Sequence, residues 1–176
     1  MSTSDTGAVA RFWDDAIVPA LTEYIRIPAK SPHFDKDWEA HGHIEAAVQY
    51  AARWCEKNIL PGMRVEVVRL PGRTPVLYAE VDGDKRETVL VYGHLDKQPE
   101  MAGWREGLGP WPPVSEAGKL YGRGGADDGY AVFGAPCALR GLLESCRPHP
   151  RPARPSECCK ARGCSPPPTH TSRLDP

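Results

Sequence analysis

Two short segments of this sequence hold residue types that can do chemistry. The first is Gly93-His94-Leu95-Asp96. In extended backbone, residues i and i+2 point to the same side, so His94 and Asp96 share one face. A neutral imidazole is a good ligand for zinc, and a nearby carboxylate can orient the ring and raise its basicity. Gly93 permits an unusual backbone turn and leaves room beside the imidazole. The plainer alternative for this tetrapeptide is a loop histidine making ordinary capping bonds with an aspartate. The second segment is Gly122-Arg123-Gly124-Gly125-Ala126-Asp127-Asp128-Gly129. Adjacent carboxylates ahead of a helix either cap its N-terminus or bridge two divalent cations. Nucleotide binding fits poorly. The third glycine of a G-x-G-x-x-G pattern falls at Asp127, and no Gly-Lys-Ser/Thr follows.

These segments need elements to hold them. Apolar residues recur at Val9, Phe12-Trp13, Ala16-Ile17, Ala20-Leu21 and Tyr24-Ile25, the period of a helix, with Pro19 as its one flaw. A second helix is predicted over 38–58, with Ile44, Ala47, Val48, Ala51 and Trp54-Cys55 on a broad apolar face and Gly62 close to a stop signal. The period then changes. Residues 64–70 alternate like a half-buried strand, residues 76–81 follow as a second strand, and Asp82-Gly83-Asp84 reads as a hairpin turn. The continuous run at 88–92 predicts a central strand buried on both faces. That strand would deliver His94 to its carboxyl end, where open α/β sheets bind ligands. Residues 99–119 read as a long Pro/Gly/Trp loop. Residues 131–144 read as a helix with Leu139, Leu142 and Leu143 on its face and Pro136 as an interior flaw. The body is therefore expected to be α/β, a mixed sheet with flanking helices.

Other tempting residues have simpler expected uses. His41-Gly42-His43 lies at a helix start and suits a surface or capping role. Cys55 and Cys137 are expected as small buried hydrophobes, Trp104 and Trp111 as packing under the long loop, and Lys97 as solvated or paired.

Composition narrows the partners. The 176 residues hold 22 Lys+Arg and 23 Asp+Glu, a net charge of −1 that offers no basic face to nucleic acid. No apolar run approaches the ~20 residues of a membrane helix, so neither nucleic acid nor membrane is an expected partner. The acidic Asp5 and Asp14-Asp15 near the start do not suit a secretory signal, and a cytoplasmic location is expected. The chain reads as two texts: 1–146, and a tail at 147–176. The tail has eight prolines, no Val, Ile, Phe, Tyr, Trp or Met, and six basic against two acidic groups. It cannot bury enough apolar surface to offset its ordering entropy. A disordered tail, a small metal-binding knob on Cys158, Cys159, Cys164 and His170, and an altered reading frame over GC-rich codons are the three readings, the last favoured.

Taken together, Tyr92-Gly93-His94-Leu95-Asp96-Lys97-Gln98-Pro99, then Gly103-Trp104, then Gly118-Lys119-Leu120-Tyr121-Gly122-Arg123-Gly124 and Asp127-Asp128 resemble the M20 family of metallopeptidases, most of all its dipeptidase branch. The similarity runs from about residue 9 to 146. The resemblance implies a hydrolase with two zinc ions, or sometimes manganese, that cleaves dipeptides or related amides. It assigns His94 as a zinc ligand, Asp96 as the catalytic-site carboxylate that orients that histidine, and Asp127 as the aspartate bridging both metals. Asp128 would support the bridging ligand, and Arg123 would shape the loop. Family members form homodimers through an inserted domain that has no counterpart here. The family's Glu-Glu pair, one of which is the general base, and its later ligands also have none. Glu157 is not assigned that role, and Gly129-Tyr130 stands where the family usually has Lys-Gly. The expectation is an incomplete zinc-peptidase catalytic domain, inactive alone, with a non-catalytic interaction module of the same lineage as the alternative.

Sequencing the coding DNA beyond the codon for Leu142 tests the frame reading. Another frame is expected to continue with a strand, a Glu-Glu pair and a distant His. If no frame holds them, the altered-frame reading falls.

Overall fold

Pro19 sets the shape of the first helical run. A proline inside a helix lacks an N–H and crowds the carbonyl four residues before it. The computed structural model, which describes residues 3–83 and 87–145, resolves the conflict with one wide turn. Helix α1 (Thr3–Phe12) passes into a π-type turn (Trp13–Ile17), and α2 (Val18–Ile25) starts with Pro19 in its first turn, where no N–H is required. Ile17, Ala20, Leu21, Tyr24 and Ile25 are buried, as the periodicity predicts.

The helix predicted over 38–58 is divided at Gly42. A short α3 (Trp38–His41) ends there, Gly42 takes φ of 68°, and α4 (His43–Lys57) begins. Glycine reaches that left-handed region at little cost, which lets it end one helix and start the next. All six apolar positions expected on this face are buried.

Strands β1 (Met63–Val68) and β2 (Val76–Val81) pair antiparallel, from Met63 opposite Val81 to Val68 opposite Val76. Their inward side chains Val65, Leu77 and Val81 lean on the core, and Arg69 reaches back to Glu45 of α4 as an ion pair. The expected turn at 82–84 lies partly outside the described residues. So do the whole 147–176 tail and its Cys158, Cys159, Cys164, His170 and Glu157.

Two sequence expectations are corrected. The run at 88–92 is not a buried central strand. It forms no ladder, and Val89 and Leu90 are 86% and 88% exposed. β-branched composition favours an extended chain, but burial needs neighbouring strands, and among the described residues β1 and β2 pair only with each other. The stretch 99–119 is not all loop either. It contains β3 (Val114–Glu116), which pairs with β4 (Lys119–Tyr121). The link is Ala117-Gly118, both at positive φ (49° and 74°), the two-residue turn whose twist matches an antiparallel hairpin.

The last helix, α5 (Tyr130–Ser145), continues through Pro136. Its buried face is Phe133, Pro136 and Cys137, so the proline ring is held by packing where propensity opposes it. The face expected to be apolar, Leu139, Leu142 and Leu143, is exposed. Phe133 meets the Trp54 ring edge to face at 4.9 Å and the Tyr24 ring at 6.4 Å. It thus joins α2, α4 and α5 in one core that also holds the free thiols of Cys55 and Cys137. Among the described residues, the result is a set of helices with two small antiparallel sheets.

Phe133→Ala is expected to cost about 3–5 kcal/mol in urea unfolding, because the fully buried ring leaves a cavity between three helices. A loss below about 1 kcal/mol would show that this junction does not hold the core.

Candidate metal centre

The loop carrying His94 is bound to its surroundings before the imidazole makes any contact. The Tyr24 hydroxyl, from the end of α2, donates to the Leu95 carbonyl at 2.9 Å. The Lys97 N–H donates to Ala29 O at 2.8 Å, and Ser31 N–H donates to Lys97 O at 2.9 Å. Lys97 thus lies beside Lys30 as an isolated parallel bridge.

The second segment is shaped by close approach. Gly124 has φ of 84°, and a Cβ there would meet three carbons of the Lys97 stem at 2.7–2.8 Å. Gly129 lies against the Tyr24 ring, within the space a Cβ would need, and its N–H closes the turn on Gly124 O at 2.9 Å. The turn Gly125–Gly129 runs irregularly through Asp127 and Asp128, and the peptide between those two aspartates is cis. Arg123 holds the preceding loop, with its N–H on Pro110 O at 2.7 Å and its guanidinium 5.9 Å from the Trp104 ring centre.

These constraints bring the three sequence-chosen residues together. His94 Nδ1 lies 3.0 Å from the Asp96 carbonyl and 3.2 Å from Asp96 Oδ1. His94 Nε2 lies 3.3 Å from Asp127 Oδ1. Asp128 turns the other way and accepts the His94 backbone N–H on Oδ2 at 3.3 Å. The room beside Gly93 is used: a Cβ there would meet Ala131 Cβ at 2.8 Å and Asp128 Oδ2 at 3.1 Å. The site is half open, with His94 and Asp96 about one third exposed and Asp127 60% exposed.

Electrostatics follow from this crowding. Partial burial opposes protonation of His94. The bond with the Asp96 carbonyl and the charges of Asp96, Asp127 and Asp128 outweigh it, and the imidazole pKa is raised above 6.5. Tyr24 is raised as well, by burial first and then by the same three carboxylates, so its hydroxyl stays protonated and able to donate.

The donor set suits a divalent cation. With the Nδ1 side taken by Asp96, the proton belongs on Nδ1 and the Nε2 lone pair faces Asp127. Two donors 3.3 Å apart have about the separation of adjacent ligands on a tetrahedral ion with bonds of about 2.0–2.2 Å. Among the described residues, no group of three or more His, Cys, Asp or Glu is arranged around a common point. The described chain therefore offers a ligand pair and not a closed cage.

Two residues escaped the sequence reading. Lys97, expected to be solvated or paired, is 1% exposed and spends its ammonium on the end of α2. Tyr24 looked like one more core position on a helical stripe, and its hydroxyl bond to the loop carries no local sequence signal. The His41-Gly42-His43 pair lies apart from this centre. His41 Nδ1 sits 2.8 Å from Asp35 Oδ2, and the His41 and His43 ring centres are 6.0 Å apart. Trp104 donates its indole N–H to Glu100 O at 2.9 Å, and Trp111 lies beside the Lys97 ammonium, so both serve the loop's own packing.

Both segments fall within a stretch that is similar to known proteins. The family described as Peptidase family M20/M25/M40 matches over residues 90–154. A Mus musculus protein described as Beta-Ala-His dipeptidase is 44% identical over 57 residues, which cover 31% of this chain and 11% of that protein. The crystal structure of human carnosine dipeptidase 1 superposes with a TM-score of 0.57 at 28% identity, covering 80% of this chain and 31% of that one. The chain thus spans about a tenth of the curated relative and about a third of the solved one.

The raised His94 value has a signed consequence in cation-free solution. A histidine whose folded pKa exceeds its unfolded value adds stability that is fully present below about 6.5 and is lost as pH rises through the folded value. The melting temperature of the chain minus that of His94→Gln is expected to be largest in mildly acidic buffer and to shrink above neutrality. A difference that does not change with pH would count against the carboxylate cluster acting on His94.

Proposed function

We propose that this M20 dipeptidase-like chain carries one part of a metal-dependent amidohydrolase site. His94 and Asp127 would serve as zinc ligands, and Asp96 as the carboxylate that holds the imidazole. The observation behind this is the two-sided use of His94: Asp96 at 3.0–3.2 Å on Nδ1 and Asp127 at 3.3 Å on Nε2. A pair of bound divalent cations supplies polarisation of a scissile carbonyl and a lowered pKa for water. The residues of this chain supply alignment. Asp96 fixes the proton on Nδ1, which leaves Nε2 as the free donor. Asp127, the most exposed of the three, is open enough to bridge two ions. Imidazole with carboxylate suits zinc, and the carboxylate share admits manganese. The substrate class is small peptides and the setting cytoplasmic, and the general base and remaining ligands of such a site have no recognised counterpart in this sequence.

Two donors hold zinc weakly, because affinity grows with ligand count and with a satisfied outer shell. Zinc titration of the full chain, followed at the His94 imidazole NMR signals, is expected to show weak saturable binding that His94→Ala removes. With zinc or manganese added, the chain alone is expected not to hydrolyse β-Ala-His. Clear hydrolysis, abolished by a chelator and by His94→Ala, would overturn the incomplete-site reading. Silence of the His94 signals up to millimolar zinc would overturn the metal reading itself.

A second reading, a non-catalytic interaction module of the same lineage, is favoured by the exposed run Val89–Tyr92 with Leu142 at 59% exposure. It gains if the chain self-associates in sedimentation while His94 is blind to zinc.

A further inference from the structure

We propose that Lys97 is the positioning residue of the candidate metal centre, the group that sets the separation of His94 and Asp127; this rests on the reading of those two as cation donors. Lys97 is 1% exposed, an unusual place for an ammonium. Its three N–H groups are all used. They donate to Tyr24 O at 2.8 Å, Ile25 O at 3.2 Å and Ile27 O at 2.7 Å. The carbonyls at the end of a helix have no partners within it and carry the negative end of the helix dipole. Here Tyr24 O and Ile27 O also accept the backbone N–H groups of Ile27 and Ala29, so Lys97 adds a bond to each, bonds Ile25 O as well, and meets the field. Its charge also lies 4.0 Å above the Tyr24 ring centre.

The same residue touches the other side of the centre. The Lys97 stem fills the space that a side chain at Gly124 would take, with three stem carbons 2.7–2.8 Å from that Cβ position. Gly124 opens the turn that carries Asp127, and Lys97 stands three positions after His94. One side chain thus spans the end of α2, the His94 loop and the Asp127 turn. A buried charge is costly to place and costlier to leave unpaired. Any arrangement in which the two loops slide apart takes the ammonium away from its three carbonyl acceptors. The clamp has one low-energy setting, and the His94–Asp127 separation is fixed with it.

A merely structural lysine would lower stability without moving the imidazole. The test uses the full chain, 15N-labelled, comparing Lys97→Met with Leu60→Ala, a core variant at a 4%-exposed position, at a temperature where both are folded. Without metal, Lys97→Met is expected to shift the His94 ring-nitrogen signals, and Leu60→Ala to leave them in place. With zinc, followed at the same signals, Lys97→Met is expected to weaken binding about tenfold or more, the scale of lost outer-shell support. Unchanged signals in Lys97→Met, or equal shifts in both variants, would overturn the proposal. If the unaltered chain binds no zinc, the metal reading fails, and the metal-free signals still decide the role of Lys97. If Lys97→Met does not fold, Lys97→Gln, which keeps two donors, is expected to give a smaller shift in the same direction. Unaltered signals there would overturn the proposal as well.

Discussion

The Tyr24 ring is where the core and the chemistry meet. One face packs in the interior against Phe133, and Gly129 lies against the ring where any side chain would collide with it. Its hydroxyl then leaves the apolar region to hold the Leu95 carbonyl, between His94 and Asp96. A tyrosine suits this post because its body is apolar and its tip is a donor. The two glycine-rich segments are shaped to fit it. Gly124 and Gly129 lie against Lys97 and Tyr24, and Gly122 and Gly125 against Ile25. The missing side chains at these positions let the Asp127 turn settle onto the end of α2 within van der Waals distance.

Electrostatics reinforce this arrangement. The end of α2 and the residues just after it present three carbonyls to Lys97, while Asp96 on the His94 loop and Asp127 and Asp128 on the neighbouring turn place three carboxylates near His94. Lys97 answers the first and His94 the second. Burial pulls the Lys97 pKa down to about 7, and three carbonyl acceptors and an aromatic face surround the ammonium. The imidazole, lying among Asp96, Asp127 and Asp128, gains proton affinity that a divalent cation would have to displace. The place that attracts the proton is therefore also the place proposed for the cation.

The sequence disclosed the parts of the fold that depend on one segment at a time. The α4 face, the existence of β1 and the extent of β2, and the helical run through Pro19 all follow from periodicity and local sterics, while β1 stops at Val68, two residues before the alternation does. What it did not disclose depends on pairing. Thr88-Val89-Leu90-Val91-Tyr92 has the composition of a buried strand, yet composition cannot supply the neighbouring strands that would bury it. The β3–β4 hairpin was hidden by the surrounding prolines and glycines, although Ala117-Gly118 was its only local cue. The site was legible to the same degree. Spacing put His94 and Asp96 on one face, the family resemblance singled out Asp127, and the three stand together. Lys97 was misplaced because a charged side chain argues for the surface, and its burial is matched by carbonyl acceptors about 70 residues earlier in the chain.

Cys55 and Cys137 give the core a means of reporting on itself. Both thiols are buried, and burial raises both pKa values, Cys55 to about 11, so neither presents a thiolate while the interior is closed. One thiol lies on α4 and the other on α5, the two helices that Phe133 and Trp54 join. Their modification by a thiol reagent then runs at the rate at which that junction opens. The breathing of the helix that begins beside Asp128 can be timed by its own sulfur, without an added label.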